Sequence, residues 1–512
     1  MMKNNIWILL ICVMGLQACD DALTMIPENA TTYENGLNSI HELDNALNGL
    51  FLYGRDYALW NISTPNIRGI QADIVTDQVT LKKRRLQHET APWQQDPMSY
   101  QMVHQANLIL KALDDVEMSD ERYNMYKGNA LFYKAYAYFE MTRRYGDVVI
   151  IKEELVYDSI SRSSMAKVYD YIIELLIEAE KLVPEFSDYE RILNITPIKC
   201  VACKGSVNAL LANACVWQAG TKWFAYEEDK NTIDETNLLN IAEEACTKVI
   251  NSSDYKLAGS IAEVCTKVLR GNSDESVFEF PYRNLSTEMR EINGVNMAAM
   301  YWVSWPVRED QYEFHIEYNM LKLLASNIKN TYEIVDDRRK EYFYKLDNPT
   351  PSMISTYAYP YKYRDVSYQT YKGTSYKAYK NLNTDRIIIR LNEIYLLRAE
   401  IRAKLGKNEL AIEDLNKIRA RANASLYQST EYNGDIRMAV FKEMDKELIF
   451  EDYRYYQIIR NGEPYVREFL EGKFKTAPLQ DFIDGAFWVM YTDDAVYNNS
   501  AWRKNVYWSK NK

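Results

Sequence analysis

Histidine is scarce in this 512-residue chain: four residues, His41, His88, His104 and His315, scattered and never in a His-Glu-x-x-His string. No Gly-x-Ser-x-Gly elbow or glycine-rich phosphate loop occurs, so the patterns of zinc proteases, serine hydrolases and nucleotide-binding enzymes are missing. The Asp-x-Asp-x-Asp-Gly spacing of a calcium loop is absent too. Glycine and proline number only 18 and 13, against 47% hydrophobic and 26% charged residues, which excludes a collagenous, disordered or low-complexity chain. Basic residues are outnumbered, 61 to 72, giving a net charge of -11 and a pI near 5.2. Such a chain does not attract a phosphate backbone, and no nucleic-acid partner is expected.

What is present begins with an address. Lys3 precedes an apolar run from Ile6 to Leu16, about eleven residues where a spanning helix needs about twenty, so it reads as a signal peptide. The run closes with Leu16-Gln17-Ala18-Cys19 and then Asp20-Asp21, an arrangement that resembles a bacterial lipobox. Cys19 is expected to become the acylated first residue, and two acyl signals suffice for stable membrane anchoring. Cys12 leaves with the signal. Cys200, Cys203, Cys215, Cys246 and Cys265 remain, an odd set without a disulfide framework. Cys200-x-x-Cys203 has the spacing of a redox or zinc half-site but lacks a second pair. With Thr196-Pro197 read as N-cap and N1, both thiols are expected on one helix of an antiparallel pair.

Helical periodicity dominates the rest. Leu131, Ala135 and Phe139 are followed by Val168, Ile172, Leu175, Ala179 and Leu182; Val207, Leu211, Ala214 and Trp217 by Leu238, Ala242, Ala245 and Val249. The clearest pair has Leu391, Ile394, Leu397, Ile401 and Leu405 stopping at Gly406, with Asn408 opening a helix through Ala411, Leu415, Ile418 and Ala422. Ile40 to Leu52 and Met102 to Leu113 form a further candidate pair. Two-helix units that stack to bury one another's faces predict a mainly all-α, tetratricopeptide-like superhelix, with Ala135, Ala214, Ala399, Ala403 and Ala411 at the close approaches.

Residues 56–97, 279–315 and 345–385 break the pattern and read as long loops, where ligand contacts concentrate when a rigid scaffold positions them. Two constellations stand out: Trp93-Gln94-Gln95-Asp96 with Asp77 and Arg84, and Tyr301-Trp302 with Trp305 and Arg308. A pyranose shows a C–H patch on one face and hydroxyls at its rim, so flat rings beside Asn, Gln, Asp or Arg suit it. Binding is expected to be weak, with Kd between about 1 mM and 1 μM. A loop tryptophan more often plugs its loop onto the scaffold than meets a ligand. The 41 tyrosines suit either packed helices or such a surface. Two carboxylates are all a glycosidase needs. Yet Glu393 and Glu400 beside Arg390, Arg398 and Arg402, and Glu443, Glu447 and Glu451 near Arg454, are most simply helix-face ion pairs. No cofactor, metal site or catalytic residue is implied.

The segment RLNEIYLLRAEIRAKLGKNELAIEDLNKIRARA (Arg390–Ala422) resembles the C-terminal hallmark of the SusD/RagB family, surface lipoproteins of Bacteroidetes nutrient uptake. KGNALFYKAYAYFEMTRRYGDVVII (Lys127–Ile151), EMDKELIFEDYRYYQIIRNG (Glu443–Gly462) and AVYNNSAWRKNVYW (Ala495–Trp508) resemble the family's other signatures in order. Where the family often has Pro-Ile-Pro near its end, this chain has Val489-Met490-Tyr491. The resemblance implies a non-enzymatic, lipid-anchored glycan binder that serves as lid on a SusC-like TonB-dependent transporter of the outer membrane. It implies a signal peptide at 1–18, an N-terminal region with binding loops at 19–280 and a C-terminal region at 281–512. Peptide binding by the same fold, a surface glycoside hydrolase and a purely structural scaffold are the competing expectations.

Overall fold

The computed structural model describes residues 37–63, 97–152, 159–194, 196–282, 323–351, 353, 355–370, 377–382, 384–451, 454–470, 472–488 and 500–510. Its helices follow the apolar repeats: α1 (Ile40–Ser63), α2 (Pro97–Ala112), α3 (Asp120–Tyr145), α4 (Met165–Leu182), α5 (Lys204–Thr221), α6 (Glu235–Asn251), α7 (Leu391–Lys404), α8 (Asn408–Arg421), α9 (Ile436–Glu447) and α10 (Arg454–Arg460). Caps fix several ends. Ser119, Asp234 and Asp435 accept from backbone N–H groups in the first turns of α3, α6 and α9. Gly146, at φ +77°, closes α3, and a Cβ there would meet the Trp488 ring.

Each helix from α1 to α8 packs on the next in sequence, so the expected pairs are adjacent members of one stack. The α6–α7 contact skips residues 252–390 in sequence. That excursion carries β1 (Ser276–Phe280), β2 (Leu323–Leu324), β3 (Tyr357–Ala358), β4 (Val366–Thr370), β5 (Lys377–Leu382) and β6 (Arg386–Arg390). Among the described residues the three sheets are antiparallel pairs: β1 with β6, β2 with β3, β4 with β5. The main core fills the stack, and a second gathers Leu323, Ile328, Tyr332, Tyr342, Phe343 and Phe450.

Several expectations need correction. Residues 56–63 continue α1, residues 279 and 280 belong to β1, and the 345–385 stretch contains β3, β4 and β5. Thr196-Pro197 does not open a helix; α5 begins at Lys204 with Cys203 as its N-cap. The intervening strap is held off the helix by side chains: Tyr133 Oη donates to Cys200 O at 2.7 Å, and Ala202 N donates to Asn129 Oδ1 at 2.8 Å. Both thiols are buried, and Cys203 Sγ lies 3.2 Å from Tyr255 Oη.

The tyrosines resolve the same way. Tyr126, Tyr133, Tyr138, Tyr169 and Tyr189 are fully buried, and several hydroxyls tether extended segments to the stack. Tyr138 Oη accepts from Ile151 N at 2.7 Å, and Tyr100 Oη accepts from Val149 N at 3.1 Å. An amphipathic ring packs by its face and still satisfies a strap's backbone with its tip.

Candidate ligand-binding region

Asp77, Arg84, Trp93, Gln94, Tyr301, Trp302 and Trp305, and the anchor residue Cys19, lie outside the described residues. What the described residues provide is the place where their segments are rooted. Gly54 on α1 lies so close to Phe280 and Tyr133 that a Cβ would sit 2.7 Å from the Phe280 ring. One residue on, Arg55 O accepts a hydrogen bond from Tyr282 Oη. Tyr282 N in turn donates to Asp385 Oδ1 at 2.8 Å, and Asp385 N to Arg270 O at 2.9 Å. Thus α1, which leads to residues 64–96, β1, which leads to residues 283–322, and the chain returning from the β4–β5 hairpin are knotted at one corner.

Beneath that corner lies a buried aromatic plinth. Phe132, Tyr136 and Phe280 surround Phe278 with ring centroids 5.1, 5.4 and 5.2 Å away. Tyr57 Oη donates to Glu140 Oε2 at 3.3 Å, and Arg143 pairs with Glu140. Burial pushes the hydroxyls of Tyr133 and Tyr136 far above the usual tyrosine range. These rings are support, not a ligand surface.

Tryptophan is consumed similarly. Among the described side chains, Trp217, Trp488, Trp502 and Trp508 are buried, and half-buried Trp223 donates Nε1–H to Ile459 O at 3.1 Å. Trp223 and Phe224 join the C-terminal stack of Phe482, Phe487 and Trp488. The exposed Trp, Tyr or Phe among the described side chains is Tyr432, at 42%. Nothing in the helical periodicity marks it; Asn433-Gly434, a turn dipeptide, is the one local signal. Tyr432 and Asn433 both adopt left-handed backbone, φ +47° and +57°. For a bulky side chain this costs roughly 1–2 kcal/mol.

The charged clusters differ from expectation. They are buried and join different elements instead of lining helix faces. Arg390 donates to Glu275 Oε1 at 2.8 Å and to Glu451 Oε1 at 2.7 Å; Arg398 pairs with Asp414 at 2.7 Å, and Arg402 with Glu243 at 3.0 Å. Fully buried Arg338 contacts Asp336, Glu443 and Glu447 at 2.8, 2.6 and 3.1 Å. Lys362 donates to Glu447 O and Ile449 O at 2.8 and 3.0 Å, and pairs with Glu451. Burial lowers the Lys362 ammonium, with the neighbouring carboxylates opposing it. Burial alone would raise Glu447, but Arg421, Arg390 and Arg338 hold it well below the carboxylate range. Glu447 therefore stays ionised and paired, which suits a fastener between the stack and the second core. Glu400–Lys404 is one pair that does run along a helix face, at 2.8 Å.

Among the described residues no group of three or more His, Cys, Asp or Glu side chains is arranged to hold a metal. No helix among them is long and apolar enough to cross a membrane.

Comparison with known proteins agrees with this frame. A model described as the SusD family matches residues 282–512, and one described as starch-binding, associating with the outer membrane, matches residues 53–203. The chain belongs to the SusD family. It is 22% identical over 491 residues to the SusD-like protein P2 of Formosa agariphila, covering 88% of this chain and 89% of that one. A SusD homologue of Bacteroides thetaiotaomicron superposes with a TM-score of 0.70 at 20% identity, covering 91% of this chain and 98% of the other. B. fragilis NanU gives 0.70 at 16% identity, covering 94% and 99%. These likenesses establish the SusD fold, a mainly helical superhelix. The family descriptions establish association with starch binding and the outer membrane.

Proposed function

We propose that this chain is a lipid-anchored protein of the outer membrane, exposed on the cell surface, that captures an oligosaccharide and passes it unaltered to a SusC-like TonB-dependent transporter. Membership of the SusD family carries the proposal, because one matching model is described by starch binding and outer-membrane association. The lipobox-like Leu16-Gln17-Ala18-Cys19 supplies the tether, with residues 1–18 as the signal peptide. The expected regions 19–280 and 281–512 then form the mature protein.

Ligand contacts belong to the irregular segments. The described tryptophans are buried or half-buried in packing, while Asp77, Arg84, Trp93 and Gln94, and Tyr301, Trp302 and Trp305, lie in the segments that follow α1 and β1 in sequence. Rings there would cover the apolar face of a pyranose, and the Asp, Arg and Gln side chains would take its rim hydroxyls. Buried Glu275, Glu400, Glu443 and Glu447 are each paired with an arginine, which favours a structural role for them over catalysis.

Isothermal titration calorimetry against panels of oligosaccharides and of peptides tests the proposal. Heat with glycans and none with peptides is expected. Binding only to peptides would replace the ligand class, and sustained release of reducing ends from a polysaccharide would make the protein an enzyme.

A further inference from the structure

We infer that the turn carrying Tyr432, between α8 and α9, is an additional carbohydrate-contact site. Tyr432 is 42% exposed, whereas the other aromatic side chains described are buried or half-buried. Its backbone sits at φ +47°, ψ +35°, followed by Asn433 at φ +57°, ψ +32° and Gly434 at φ +84°. Glycine or asparagine adopts this conformation with less strain, and a bulky ring there is retained against local preference.

The turn is stiff. Arg419 grips both Glu431 oxygens, at 2.8 and 3.0 Å, while its Nε donates to buried Glu443 at 2.9 Å. Glu431 N donates to Gln428 O at 2.9 Å, and Gln428 N returns a bond to Glu431 Oε1 at 2.9 Å. Asp435 N closes the turn on Tyr432 O at 3.1 Å. The ring is thus presented by a braced loop on which little side-chain freedom remains to be lost when a ligand binds.

The same turn carries two exposed amides, one of which, Gln428 Nε2, donates to Leu426 O at 3.2 Å. Asn433 and Gln428 are exposed, and the Asn433 amide makes no hydrogen bond among the described residues. A flat ring beside amide donors and acceptors matches a pyranose, with C–H groups on its face and hydroxyls at its edge. The assignment rests on the chain being a glycan binder and adds a contact that neither family description contains.

Native affinity electrophoresis in gels containing amylopectin, xylan or laminarin, with thermal melts, tests it using the full mature chain and the variants Tyr432→Asn and Tyr432→Ala. Tyr432→Asn keeps a residue tolerant of left-handed backbone and removes the ring. It is expected to melt at or above the wild-type temperature while its affinity for the retained polysaccharide falls about three- to tenfold. Wild-type retention matched by both variants would overturn the inference and leave the turn to a protein partner. A lower melting temperature with unchanged retention would show that the ring is structural, again overturning it. No retention of wild type by any of the three gels would sink the broader glycan-binding proposal for these probes, and this site with it.

Discussion

Arg460 on α10 reaches across to α7 and grips both oxygens of Glu400, with Nε and Nη2 at 3.2 and 2.7 Å. Lys404 adds a third cation contact at 2.8 Å. Burial alone would raise the Glu400 pKa, but Arg460 and Lys404 overcome it and hold the carboxyl near 2. The folded value thus lies below the ordinary 4.5, so the pair's contribution is present above about pH 4.5 and is lost as pH falls towards 2. Arg460→Met leaves buried Glu400 with Lys404 as its one remaining cation and is expected to cost up to about 3 kcal/mol at pH 7. Urea melts at pH 7 and pH 3 check both statements: the variant's deficit should be smaller at pH 3, and an equal deficit would contradict the ion-pair account.

Arg338 is the same device at larger scale, since its guanidinium ties Asp336 beside the second core to Glu443 and Glu447 on α9. Arg338→Met leaves those acids facing one another without their shared cation. Stability should fall by about 3–5 kcal/mol. Limited proteolysis should show new cleavage within residues 323–365 before the helical stack is cut; cleavage rates matching the wild type there would count against the fastener role.

Cys19→Ala removes the proposed acylation site. The variant is expected in soluble fractions, because a signal-derived apolar run of about eleven residues is too short to span a bilayer. Membrane retention equal to wild type, read by fractionation and immunoblot, would refute the anchor.

Trp93→Ala combined with Trp302→Ala should abolish measurable glycan binding in calorimetry, a loss of at least about tenfold, and leave the melting temperature within a few degrees of wild type. Rings that serve as ligand platforms make few core contacts. A large drop in melting temperature with binding retained would assign both residues to packing.

The helices were legible because their signal is local. Leu391, Ile394, Leu397 and Ile401 recur at helical spacing, and Gly406 and Asn408 mark the break between α7 and α8. The strap at residues 196–203 is not legible, because Pro197 fits a helix start and the groups that hold it off the helix include Tyr133 and Asn129, some seventy positions away, and Glu279, whose N–H donates to Lys199 O at 3.2 Å. Tyr432 escaped notice for a related reason. Exposure is a property of what fails to cover a residue, and no residue near Tyr432 in the chain records that.

Sequence by itself therefore determined the helical repeat, the order of the stacked pairs and the acidic balance, none of which needs a long-range contact to be read. Tertiary structure alone decided which charges meet and which rings are buried. Arg390 and Glu275 stand 115 positions apart yet lie 2.8 Å from each other inside the protein. Both choices follow from desolvation, which penalises an unpaired buried charge and rewards a covered ring. Neither penalty nor reward exists until the chain has closed around them.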